Sequence, residues 1–302
     1  MKTSTLRSDL LLLLSAMIWG LAFVAQRVGM NYVGPFTFSG VRFLLGGLSL
    51  IPVLYLFPVS APHIKAKPLS PFWQKWGGLL AGLLLFTGIS LQQIGLQYTS
   101  AGKAGFLTGL YVVLVPVFGL VVRQKTGPGT WIGVLFAVCG MYFLSVTGNF
   151  EISKGDLLLI ISTVFWAFHV LTIGWLSPHN HPIKLSIQQF LTAGVISLVI
   201  AFGVETVKLS TILQAGIPIL YGGLFSVGVA FTLQVVVQKT ALPAHAAIIM
   251  SLETVFAAIG GWLLLDEHLS VRALLGCLLM LCGMLFAQFN DRFFKISASQ
   301  TI

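Results

Sequence analysis

The chain has 302 residues, 57% of them hydrophobic and 8% charged, with a formal net charge of +9 and a mean hydropathy of +0.96. A soluble domain carries about 25% charged residues, so this balance excludes one and predicts an all-α polytopic protein set in a lipid bilayer. The basic residues lie in short loops between apolar runs, which argues against a nucleic-acid surface, and no glycine-rich phosphate loop supplies a nucleotide motor.

Lys2 and Arg7 precede the first apolar run without a small-x-small cleavage site, so that run is expected to be a retained span. Ten runs of spanning length are predicted, at 9–30, 35–57, 76–97, 101–122, 130–146, 156–176, 183–203, 215–238, 243–265 and 271–290. Very short turns join the third to the fourth and the eighth to the ninth, which predicts two antiparallel hairpins. The longest polar gap, 58–75, is too short for a soluble domain.

If loops alternate sides, Lys2, Arg7, Lys65, Lys67, Lys75, Arg123, Lys125, Lys184, Lys239, Arg292 and Lys295 share one side. Arg27, Lys103, Lys154, Lys208 and Arg272 share the other, together with the acids Glu151, Asp156, Glu205, Asp266 and Glu267. The excess of cations predicts a multi-pass protein of the cell (inner or plasma) membrane with both termini cytoplasmic. Cys139, Cys277 and Cys282 fall inside apolar runs and read as small packing residues rather than a disulfide framework or zinc site.

The two halves repeat. Ser8-Asp9-Leu10-Leu11-Leu12 matches Gly155-Asp156-Leu157-Leu158-Leu159, and the same offset of 147 pairs Ser15 with Ser162, Trp19 with Trp166, Pro35 with Pro182, Phe43 with Phe190 and Gly47 with Gly194. At a slightly smaller offset Gln97-Tyr98-Thr99 answers Gln238-Lys239-Thr240, and Cys139-Gly140-Met141 answers Cys282-Gly283-Met284. Five helices per repeat is an odd number, so the second repeat is predicted to enter the bilayer inverted relative to the first, with a site between the halves near mid-membrane. The glycine pairs Gly78/Gly82, Gly105/Gly109 and Gly129/Gly133 provide faces for close helix packing.

Few polar residues interrupt these helices. Glu253 lies ~15 Å from the ends of its apolar run, and an ionised carboxylate mid-helix costs roughly 2.5–3.5 kcal/mol on insertion scales. It is therefore expected to face a wet cavity or a partner, as a coupling or solute-contacting group; the alternative is a packing carboxyl bonded to neighbouring helices. Ser15, Trp19, Ala22 and Gln26 share one face of helix 1, and Ser162, Trp166 and His169 one face of helix 6, so these repeat-related stripes are read as cavity lining. Arg42, whose repeat mate is Gln189, either holds an anionic group, pairs with Glu253, or snorkels to the interface. Among Gln92, Gln93, Gln97, Gln234 and Gln238, the deeper candidates are Gln93 and Gln234. Tyr111 is placed before an expected kink at Pro116. His169 offers a group able to take a proton, or a hydrogen-bonded packing residue. The loop from Ser177 to Pro182 holds His179 and His181 without a third metal ligand, so no metal or cofactor is expected.

The chain resembles the drug/metabolite transporter superfamily, in its EamA-like branch of ten-helix carriers. The resemblance covers nearly all of it, with five-helix repeats at 8–147 and 155–290. It is carried by Trp19-Gly20, Arg42-Phe43, Gln97-Tyr98-Thr99-Ser100-Ala101, Val115-Pro116-Val117-Phe118, and Ser251-Leu252-Glu253-Thr254-Val255-Phe256-Ala257-Ala258 with Leu264-Leu265-Asp266-Glu267. The family pattern has Pro where Thr254 stands and Gly where Asp266 stands. The resemblance implies no enzyme but a secondary transporter of small metabolites, amino acids or related compounds. Export would proceed by alternating access through a central cavity, with a proton or counter-solute as a possible partner. The superfamily's four-helix exporters use a first-helix Glu for proton exchange, and helix 1 here has none. The alternatives are an integral-membrane enzyme, for which Glu253 and His169 form the one candidate pair, and a non-transporting membrane subunit.

Overall fold

The computed structural model describes residues 6–56, 69–121, 127–145, 153–268 and 270–299, the side chains at 144–145 and 287–299 excepted. Lys2, Lys65, Lys67, Arg123, Lys125 and Glu151, and the side chains of Arg292 and Lys295, lie outside that description.

The described residues are helical throughout, with no strand. In chain order the helices are α1 (Leu6–Gly29), α2 (Pro35–Leu56), α3 (Pro71–Leu96), α4 (Ala101–Gly109), α5 (Tyr111–Val121), α6 (Pro128–Ser145), α7 (Lys154–Leu176) and α8 (Pro182–Val204). There follow α9 (Leu209–Gln214), α10 (Gly216–Leu220), a π-helical stretch at Tyr221–Phe231, α11 (Thr232–Val237), α12 (Pro243–Met250), α13 (Glu253–Leu265) and α14 (Val271–Ser299). Counting α4 with α5, the rod from Gly216 to Val237, and α12 with α13 as single rods, eight of the described helices are long and apolar enough to cross a bilayer. Pro128–Phe143 and Val271–Phe286 are shorter apolar helices.

Local chemistry sets the helix starts. Pro71, Pro182 and Pro243 open α3, α8 and α12, where a missing N–H costs nothing and the fixed φ suits the first turn. Ser153 and Asp156 form a reciprocal capping box at α7, and Ser100 caps α4 by accepting from the Lys103 N–H. At the other end of α13, Asp266 adopts φ 55°, and the Glu267 N–H bonds the Gly261 carbonyl at 3.1 Å. That is a left-handed helix stop, which favours the residue lacking a Cβ. Asp266→Gly is therefore expected to raise stability by about 0.5–1 kcal/mol in detergent melts, since it relieves the left-handed penalty without touching the cavity.

Large apolar side chains such as Leu48, Tyr55, Val121, Phe202, Ile217 and Leu263 cover the outside, while Ser15, Gln26, Arg42, Gln93, His169, Gln189, Gln234 and Glu253 are buried. This distribution suits lipid as the surrounding solvent. Close backbone approach holds the bundle: Gly78 and Gly82 of α3 lie against Gln188 and Thr192 of α8. Gly105 and Gly109 of α4 lie against Ala257 and Thr254 of α13. At Gly20 of α1 an added Cβ would collide with Phe256 and stand 2.7 Å from the Glu253 carbonyl, so α1 crosses α13 directly over Glu253.

The kink expected at Pro116 is not where the fourth rod breaks. The break falls at Leu110, six residues earlier, where Leu110 and Val113 make i to i−3 bonds at 3.3 and 3.1 Å; Pro116 sits inside α5. The ninth rod breaks in the same way at Ser251 and Leu252, with Thr254 and Val255 bonded three residues back. No proline is needed there, because the Thr254 hydroxyl anchors the turn by donating to the Gly105 carbonyl at 2.9 Å. A tightened turn leaves backbone groups free for other partners, as short 3₁₀ pieces do at functional breaks.

Candidate functional site

Both breaks open onto one central cavity. Tyr111 is the first residue after the α4/α5 break and Glu253 the first after the α12/α13 break, and the Tyr111 hydroxyl faces the Glu253 carboxyl. Seated in the first turn of α13, the carboxyl also lies at the positive end of a half-helix dipole. Trp19 and Gln26 of α1, Arg42 of α2, Gln92 of α3, Thr108 of α4, Trp166 and His169 of α7 complete the wall with Ser226, Phe231 and Gln234 of the eighth rod. The cavity volume is about 40 Å³. At about 10–15 Å³ per water, that is room for roughly three waters.

Seven of the nine residues singled out in the sequence meet here: Trp19, Arg42, Tyr111, Trp166, His169, Gln234 and Glu253. Two do not line it. Gln189 stands behind His169, its Oε1 placed 2.8 Å from the His169 Nε2. Gln93 is fully buried away from the cavity, and its amide makes no hydrogen bond among the described residues. Its neighbour Gln92 takes the position instead. Gln93 pairs in sequence with Gln234, but only the eighth rod passes through a π-helical stretch, which turns its later residues relative to their counterparts on α3.

Arg42 is 1% exposed, so it does not snorkel. It meets no carboxylate among the described residues: one Nη donates to the Gln26 Oε1 at a long 3.4 Å, and its Nε has no partner. The guanidinium lies 5.3 Å from the Phe38 ring centre and 5.1 Å from that of Phe43, a cation–π seat that compensates part of its burial. Gln26 passes the network on, since its Oε1 also accepts from Gln92 Nε2 at 3.3 Å and the Gln92 Oε1 accepts from the Trp166 indole at 2.9 Å. The other indole, Trp19, donates to the Ser226 carbonyl at 3.3 Å.

Sequence reasoning missed Phe231. Its ring centre lies 4.6 Å from that of Trp19 and 6.0 Å from that of Trp166, stacked on the latter at 18°, with Phe43, Phe190 and His169 around it. Nothing marked it among 23 phenylalanines in apolar runs. The result is an aromatic wall facing a buried cation and a buried carboxyl, an arrangement that suits a solute with both charges and an apolar part.

The model of the EamA-like transporter family matches this chain twice, over residues 6–146 and 153–288. An uncharacterized transporter of Archaeoglobus fulgidus is 31% identical over 93% of this chain and 85% of its own length. The uncharacterized transporter YoaV of Bacillus subtilis is 24% identical over 91% and 94% of the two chains. A solved structure titled only as a crystal structure of a protein superposes with a TM-score of 0.73 at 18% identity, covering 95% of this chain and 98% of that one, and is similar in fold. With both halves matched, the chain belongs to the EamA-like transporter family, a multi-pass membrane transporter with a set of buried polar groups lining one cavity.

Proposed function

We propose that the chain is a secondary transporter of small zwitterionic metabolites, amino acids and their relatives, moving them outward across the cell membrane by alternating access. The observation that carries this reading is Arg42, a buried guanidinium with no acidic partner among the described residues, which opens onto the same cavity as Glu253. A solute carboxylate bound to Arg42 would supply the bidentate partner it lacks. A solute ammonium would then meet Glu253, and the wall of Trp19, Phe231 and Trp166 would cover the apolar part. His169, Gln234, Tyr111 and Gln189 belong to the same constellation, Gln189 by orienting His169.

In this reading the ten apolar helices form two inverted repeats, about residues 8–147 and 155–290. Reciprocal contacts support it. Gly47 of α2 packs on Leu191 of α8, while its mate Gly194 packs on Leu44, the mate of Leu191 at the same offset of 147. Mutual contacts of that kind are what a two-fold axis generates. The end where α1 begins is assigned to the cytoplasm from the excess of Lys and Arg in its loops.

The cavity holds roughly three waters, so in this reading the halves must part for larger solutes to enter and leave. The end where α1 finishes is heavily tied. Glu205 accepts from the Phe36 and Thr37 N–H groups and the Thr37 hydroxyl, Glu267 accepts from the Ala101 and Gly102 N–H groups, and Arg27 donates to the Leu96 and Thr99 carbonyls. The purified chain in liposomes is expected to exchange internal for external radiolabelled amino acid, and a bound amino acid at 100 times its Kd should stabilise the fold by about 2.7 kcal/mol. Exchange no faster than in empty liposomes, across neutral, aromatic and charged amino acids, removes this reading.

A further inference from the structure

A second symmetric pair of contacts lies at the two ends of the bundle. Asp156, in the first turn of α7, pairs with Lys103, the third residue of α4, at 2.7 Å. Asp9, in the first turn of α1, pairs with His245, the third residue of α12, at 3.0 Å. Asp9 and Asp156 are sequence mates at the offset of 147, and Lys103 and His245 are mates at 142, the offset between the starts of α4 and α12. Each bridge therefore joins the first helix of one half to the fourth helix of the other, one at each end of the molecule. A cation in the first turn of a helix opposes the helix dipole, so Lys103 is not explained by its own helix. The carboxylate across the interface explains it. The two bridges differ in one respect: an ammonium stays charged through the physiological range, whereas imidazole is the side chain that changes charge there.

We propose that these bridges are matched clasps of the two gates, and that the one at the α1 start, Asp9–His245, is a proton-binding site that holds its gate shut when His245 is protonated. The proposal rests on the transporter reading for its sidedness, which makes the titrating clasp cytoplasmic. Acid favours the charged pair and a closed inner gate. Loss of the proton as pH rises removes the ion-pair attraction between the two side chains, leaves between them an imidazole N–H bonded to a carboxylate, and so loosens the clasp. Among the described residues, the other charged or titratable groups at that end are Arg7 on α1, Lys75 on α3, His179 and His181 in the turn after α7, Lys184 on α8 and Lys239 before α12, whose ammonium burial pushes below its ordinary range. The described parts of α5, α6 and α14 that pack on α12 place no charged side chain there.

The test uses full-length protein in liposomes with Cys139, Cys277 and Cys282 replaced by Ala and nitroxides at Leu10→Cys and Thr240→Cys, the label separation being read by pulsed dipolar spectroscopy. The population with separated labels is expected to rise at least threefold between pH 5.5 and 8.5. His245→Lys should hold it at the low-pH value throughout, and Asp9→Asn at the high-pH value. With labels at Gln97→Cys and Lys154→Cys at the opposite end, the parent should show no response and Lys103→His should create one. Separation indifferent to pH in the parent, or an undiminished response in His245→Lys, overturns the proposal. Amino-acid exchange in the same liposomes is scored separately: its absence removes the transport reading and leaves the clasp result standing.

Discussion

Glu253→Gln is expected to leave the protein folded and to lower solute exchange by about 100-fold or more, a loss of about 2.8 kcal/mol at 1.4 kcal/mol per decade. The substitution keeps the shape and one acceptor oxygen, removes the charge and turns the other oxygen into an NH2 donor. Packing around the residue should therefore survive, including the α1 crossing at Gly20 and the turn anchored by Thr254. Were the carboxyl a packing group, the amide would be neutral or stabilising, because a buried charge carries a desolvation cost that an amide avoids. Melting temperature and exchange rate on the same preparation separate the two. Unchanged exchange with an unchanged or raised melting temperature assigns Glu253 to packing.

Arg42→Met gives the sharper contrast. As a purely structural residue, Arg42 is an expensive one: a buried cation with one long hydrogen bond, an orphan Nε and two aromatic faces. A methionine of similar length should thus be neutral or stabilising in melts, in line with the replacement of other buried charges by apolar groups. Binding should respond in the opposite sense. A truncated partner of a buried charged hydrogen bond costs about 2–5 kcal/mol, so affinity for a carboxylate-bearing solute is expected to fall by about 30-fold or more. Arg42→Lys keeps the charge but loses the fork, and should fall between the two. The measurement is solute-induced thermal shift across a concentration series; an affinity equal to that of the parent would show that the carboxylate is held elsewhere.

Much of the site was legible because polar residues are costly in lipid and hence rare. Trp19, Arg42, Tyr111, Trp166, His169, Gln234 and Glu253 stood out against apolar runs for that reason, and all reach the cavity. Phe231 did not stand out, since an aromatic residue is at home in any apolar helix. Gln92 and not Gln93 lines the cavity because adjacent residues on a helix differ by about 100° in direction, while the π-helical stretch turns Gln234 of the eighth rod differently from its sequence mate Gln93. Pro116 likewise did not mark where the fourth rod breaks. A missing N–H weakens a helix locally, yet the rod breaks at Leu110, where α4 meets α13 through Gly105, Gly109 and Thr254.

By itself the sequence determined that the chain is helical and membrane-set, where its apolar runs lie, and that its halves are related, because hydropathy, spacing and repeated motifs are properties of order along the chain. Tertiary structure alone decided that Tyr111 meets Glu253 across two breaks, that Arg42 has no acid beside it among the described residues, and that Asp9 and Asp156 each find a basic side chain in the other half. Those facts depend on which faces of distant helices touch, and contact between segments more than 50 residues apart is set by packing and not by any local pattern.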